Sequence, residues 1–187
     1  MSGLANITDT ELARRISEVF AESLGDHHHT QLVGGASEPF YRPARGDVPA
    51  RLHFRQDFAA SALHEVAHWC IAGIERRKQE DFGYHYIAGP RDVEQQAAFF
   101  ALELRSQSLE RAFAHALGLE FQPSADNLQA EIDGFAAAIE AHTPALEAWL
   151  AGSAGARARL FIQALKQASK RLTQNQTHSS VQVAARG

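Results

Sequence analysis

Residues 57–76 read Asp57-Phe58-Ala59-Ala60-Ser61-Ala62-Leu63-His64-Glu65-Val66-Ala67-His68-Trp69-Cys70-Ile71-Ala72-Gly73-Ile74-Glu75-Arg76, and the reading of the chain turns on them. Leu63, Val66, Ala67, Cys70, Ile71 and Ile74 recur at helical spacing and form a broad apolar face. The stretch is therefore expected to be a helix over about 57–76. His64 and His68 lie four residues apart on it, on one face and one turn apart. Two imidazoles so placed can hold one metal ion, with Glu65 beside the open coordination position as the candidate catalytic group. A chance pair of surface histidines is disfavoured, because the motif sits well inside an amphipathic helix. The small Ala59, Ala60, Ala62 and Ala67 leave room around it. Trp69 reads as core or pocket wall, and Cys70 as a buried thiol.

A site of this kind needs a third ligand, and two downstream carboxylates compete, Glu94 and Glu103. Nine residues apart, they would point in opposite directions on one continuous helix. Glu94 is explained by the first turn after Asp92, where the helix macrodipole stabilises an acid. Glu103 stands among Phe99, Phe100, Leu102 and Leu104, where an unpaired carboxylate is costly. Glu103 is thus the better candidate and Glu94 the alternative. Two histidines and a carboxylate do not name their metal, since zinc hydrolases and non-haem iron oxygenases both use that set.

Upstream, Thr8 and Glu11 make a capping-box pattern. The apolar series Leu12, Ile16, Val19, Phe20 and Leu24 then predicts a helix over 8–24, stopped by Gly25. Between this helix and the motif, Gly and Pro punctuate three short runs, Gln31–Val33, Pro39–Tyr41 and Arg51–Phe54, expected to form a small antiparallel sheet. Downstream, helices are expected at about 92–104, 107–117, 126–140 and 156–172, with a further helical turn or two at Leu146–Leu150. The polar end, TQNQTHSSVQVAARG, lacks periodicity. The expected architecture is α+β: a mostly helical single domain over 1–172, its small sheet beside the H-E-x-x-H helix in a zincin-like arrangement, with 173–187 a disordered tail.

Composition excludes several classes. The 187 residues suffice for one domain with a real core. No apolar run approaches the length of a membrane span, and the first residues lack a signal-peptide core. One cysteine cannot make a disulfide within the chain. These features point to the cytoplasm. Eighteen Lys and Arg against 22 Asp and Glu give a net charge of -4, which argues against a non-specific nucleic-acid binder. The triplet His27-His28-His29 after Asp26 reads as a solvated loop, His85 as an exposed loop histidine, and Arg76-Arg77-Lys78 as a surface run.

The run Ser61 to Gly73, followed by Asp81-Phe82-Gly83-Tyr84 and Tyr86, resembles the bacterial elongation factor P hydroxylase family. Leu32-Val33, Glu38-Pro39, Tyr41 and Pro43-Ala44 upstream match the same pattern. So do Gln96, Phe99, Glu103, Gln107 and Leu109, then Asp126-Asn127-Leu128 and the segment from Arg159 to Leu165. The resemblance covers about residues 29–168. It implies a hydroxylase acting on a lysine of elongation factor P that already carries a β-lysyl group. The cofactor would be Fe(II), with zinc the alternative divalent metal, and dioxygen the co-substrate. The ligands carried over by the resemblance are His64, His68 and Glu103. Tyr84, Tyr86, Gln96 and Gln107 are candidates for supporting the ligands or contacting substrate. The loop His85 to Arg91 and the stretch Leu102 to Ser108 depart from the family's pattern, which bears on substrate contacts more than on the metal ligands.

A doubly cationic modified lysine would suit an acidic pocket, for which Glu75, Glu80, Asp81 and Asp92 lie in the right segments. Two rival readings stand beside the hydroxylase. One is a zinc peptidase with Glu65 as general base. The other is a metal-stabilised binding module without catalysis.

Overall fold

The computed structural model describes residues 7–80, 93–124 and 132–184. Helix α1 (Asp9–Phe20) opens at Thr8, whose hydroxyl accepts the Glu11 backbone N–H at 3.3 Å, as the capping pattern requires. It runs into one wide π-type turn (Ala21–Gly25). Strand β1 (Thr30–Ala36), β2 (Phe40–Arg42) and β3 (Ala50–Arg55) follow, then α2 (Ala59–Ile71). Helices α3 (Val93–Leu117), α4 (Ile132–Ala141), α5 (Thr143–Ala151) and α6 (Ala156–Ala184) complete the order.

The fold is α+β, with a sheet that differs from the expected antiparallel one. Its order is β1-β3-β2, with β3 parallel to β1 and antiparallel to β2. The chain reverses after β1 but leaves one strand width open, and β3 returns into that gap. Glycine makes the exit from β1 feasible. A Cβ on Gly34 would lie 2.5 Å from Asp57 Oδ1 and 2.8 Å from the Phe54 ring, and Gly35 has φ +82. On β3, Ala50, Leu52 and Phe54 face the core while Arg51 and Arg55 face solvent.

Helix α2 ends at Ile71, earlier than the apolar periodicity suggests. Ala72 turns to ψ 123, and two guanidiniums replace the lost helical partners. Arg157 donates to the carbonyls of Cys70 and Ala72, and Arg77 to that of Ala72. At the other end, the Asp9 carboxylate of α1 accepts the Ala59 N–H, a cap supplied from fifty residues away. The two helices expected at 92–104 and 107–117 are one, α3. Nothing in Leu104-Arg105-Ser106 breaks a helix. Helix α6 continues to Ala184, beyond the expected end at Leu172; the tail has neither Gly nor Pro before Gly187 and so lacks a stop.

The core joins all four long helices to the sheet. Phe20, Phe113 and Phe161 are fully buried. Their rings meet edge to face: Phe20 with Trp69 at 5.3 Å, Phe20 with Phe161 at 6.1 Å and Phe113 with Phe161 at 4.9 Å. This cluster clamps α2 between α1, α3 and α6, which fixes the rotation of the helix that carries the motif. Among the described residues, no helix is long and apolar enough to cross a membrane.

Candidate metal centre

On α2, the apolar stripe of Leu63, Val66, Ala67 and Cys70 is buried, so His64 and His68 must flank it. They face α3, the element α2 packs against most extensively. From α3, Glu103 meets them. Its Oε2 lies 3.6 Å from His64 Nε2 and its Oε1 3.4 Å from His68 Nε2, while the two Nε2 atoms are 2.9 Å apart. The three side chains form a group able to hold a metal ion, with donor atoms within 4.8 Å of one another. Spacings near 3 Å suit donors that share one ion at about 2.1 Å each. The donor chemistry, two neutral-capable imidazoles and a carboxylate 3 % exposed, therefore fits a divalent metal.

The surroundings orient these donors. Glu110 Oε2 lies 2.8 Å from His64 Nδ1, so the ring's Nδ1–H donates to the carboxylate and Nε2 is turned toward the centre. Ser106 Oγ donates to Glu103 Oε2 at 3.1 Å, and Gln107 Nε2 lies 3.5 Å from the same oxygen. Gln107 also joins α3 to the following segment, donating to Ser124 O and accepting from Ser124 N. Glu103, Ser106, Gln107 and Glu110 fall at i, i+3, i+4 and i+7, one polar stripe along the buried side of α3.

Electrostatics follow from this enclosure. Burial opposes charge on His64, but Glu110 outweighs it and raises the imidazole to about 10. In the metal-free protein, a proton on His64 thus occupies the role of the cation. Burial raises Glu103, yet the hydrogen bond and charge of His68 dominate and lower it to about 2. Burial pushes Glu65 upward, with the nearby histidines pulling the other way.

Other candidates fall elsewhere. Glu94 is exposed in the first turn of α3, away from the group. Gln96 is buried seven residues before Glu103, on the same side of α3. Tyr84, Tyr86, His85, Asp81 and Asp92 lie outside the described residues. Glu75 and Glu80 are exposed and paired, with Lys78 and Arg45 respectively. His28 packs its edge on Trp69 at 5.3 Å, and His27 and His29 are exposed.

Sequence reading missed Glu110 and Ser106. The signal was present: Glu110 is seven residues from Glu103, but a helix divided near residue 105 hides that periodicity.

The family model described as Elongation factor P hydroxylase matches residues 19–179. A protein of Haemophilus influenzae (strain ATCC 51907 / DSM 11121 / KW20 / Rd), named Elongation factor P lysine hydroxylase, is 45% identical over 114 residues. The aligned stretch is 60% of this chain and 64% of that relative, just under two thirds of its length.

Proposed function

This chain belongs to the elongation factor P hydroxylase family, and from that premise we propose that it hydroxylates the β-lysylated lysine of elongation factor P, using dioxygen and a non-haem iron ion. The observation that carries the reading is the convergence of His64, His68 and Glu103, with Glu110 behind His64.

In this reading, His64, His68 and Glu103 hold the iron. When bound, iron supplies the oxidising chemistry toward an unactivated C–H bond that no side chain offers. Glu110 keeps His64 in one tautomer and orientation. Ser106 and Gln107 keep Glu103 from swinging away. Glu65, raised by burial, is the group able to hold or pass a proton beside the site. The side chains of His64 and His68 remain 25% and 23% exposed while Glu103 is nearly closed off, so substrate reaches the site over the histidine edges. Three carboxylates, Glu65, Glu103 and Glu110, surround two imidazoles. The sheet beside the motif helix makes the arrangement zincin-like in this reading, and a cytoplasmic location suits an enzyme acting on a translation factor.

The test is peptide mass spectrometry of β-lysylated elongation factor P incubated with the protein, Fe(II), a reductant and air. One added oxygen on the modified lysine is expected. It should vanish without air and in Glu103→Ala or His64→Ala, and persist in Glu94→Ala. No added oxygen with folded, iron-loaded protein refutes the assignment. Zinc-dependent peptide cleavage in its place would establish the peptidase alternative.

A further inference from the structure

On the outer face of the sheet, Arg42 of β2 and Arg51 of β3 are direct antiparallel partners. Side chains so paired start about 5 Å apart, and like charges there repel. Both are exposed, and among the described residues neither has a carboxylate in ion-pair range. Arg42 leans over the Phe40 ring at 5.1 Å, which holds it beside the strand.

A third guanidinium, Arg45, completes the arrangement. It precedes a tight turn closed by reciprocal Arg45 and Val48 backbone hydrogen bonds, with Gly46 at φ +58. Arg42, Arg45 and Arg51 line one cleft of about 360 Å³, with Pro43, Pro49 and the exposed Val48 as its apolar rim. Among the described residues the cleft's lining holds one acid, Glu80, which pairs with Arg45 at 2.9 Å. Among the described lining residues three cations stand against one anion, on a chain whose net charge is -4. His53, stacked on Phe40 at 4.0 Å, registers the same field: burial first, then Arg42 and Arg51, push its imidazole down.

We propose that this cleft binds an acidic peptide segment of a partner protein, its carboxylates bridging Arg42 and Arg51. Guanidinium forks match carboxylates two hydrogen bonds at a time, and Glu80 already seats a carboxylate on Arg45 through one N–H···O contact. The strand register keeps two like charges together at a cost that a bridging anion removes. A nucleic acid is the poorer occupant. Among the described residues the cleft's lining holds no aromatic ring for base stacking, and the patch is too compact to track a phosphate backbone. The site lies on the sheet face opposite the core-facing Leu52 and Phe54, away from the α2–α3 metal centre, so the inference stands independently of the reaction.

Fluorescence anisotropy of the full chain with fluorescein-labelled octaglutamate at low salt tests it. Binding should weaken about threefold to tenfold in Arg42→Gln or Arg51→Gln, and further in the double variant. It should strengthen in Glu80→Gln, which releases Arg45. Absent octaglutamate binding, affinity unchanged by the substitutions, or an eight-nucleotide oligothymidylate bound as tightly as the peptide would each overturn the proposal.

Discussion

Removing the Glu110 carboxylate tests how far the proposed metal centre depends on a residue outside the proposed ligand set. The contact with His64 Nδ1 is 2.8 Å long and charge-assisted, and Glu110 is 8% exposed. Supporting contacts of this kind typically change metal affinity by about 10- to 100-fold, roughly 1.4–2.7 kcal/mol. Near-complete enclosure places Glu110→Ala toward the upper end. Glu110→Gln retains an acceptor for the Nδ1–H and belongs near the lower end. One effect opposes the loss: without Glu110, His64 becomes less basic, so the metal displaces a proton more readily. That relief does not restore orientation, because the ring is then free to turn its Nε2 away from Glu103 and His68. The assay is competition of Co(II) or Zn(II) against a chromophoric chelator at pH 7.5, with circular dichroism to confirm folding. A folded Glu110→Ala variant that binds metal within twofold of the parent would refute the reasoning.

The remaining predictions concern charge and packing. His64 is raised from its ordinary value of 6.5 to about 10 in the metal-free fold, so its stabilising contribution is complete below pH 6.5 and disappears as pH rises to about 10. Calorimetry of chelator-treated protein should show Tm falling across that window. Metal binding near pH 7.5 should release about one proton, measurable by titration calorimetry in buffers of different ionisation enthalpy. Glu103 is lowered to about 2, so its contribution, present above pH 4.5, is lost as pH falls toward 2; Glu103→Gln should remove that acid limb. Gly155→Ala would place a Cβ 2.6 Å from Leu150 Cα and Trp149 O at the α5–α6 corner, destabilising by about 1–3 kcal/mol in urea unfolding. Phe161→Ala opens a cavity between Phe20 and Phe113 and should cost about 3–5 kcal/mol by the same measurement.

The buried contacts also explain why α2 needs so much support. It begins without a side-chain cap of its own and ends after thirteen residues. Asp9 closes its start, and Arg157 and Arg77 close its end. Arg157 also lies over the Trp69 ring at 4.7 Å, so the cap and the aromatic core reinforce each other. A motif helix pinned at both ends presents His64 and His68 to α3 in one orientation, which is what a preformed metal site requires.

Much of this was legible in the residue order, because local periodicity determines local structure. The spacing of His64 and His68 places both on one helix face whatever surrounds them. The apolar neighbours of Glu103 marked it as a carboxylate needing a partner, and the punctuated runs near residues 31, 40 and 52 marked three strands. Tertiary structure decided what local spacing cannot. Strand β3 inserts between β1 and β2 because pairing choice depends on where the chain returns, and this makes the sheet mixed. Continuity of α3 brings Glu103, Ser106, Gln107 and Glu110 onto one stripe, and packing against α2 sets that stripe opposite the histidines. The caps on α2 and the Arg42–Arg51 opposition join residues far apart or on separate strands, and only the closed fold brings such groups within reach of one another.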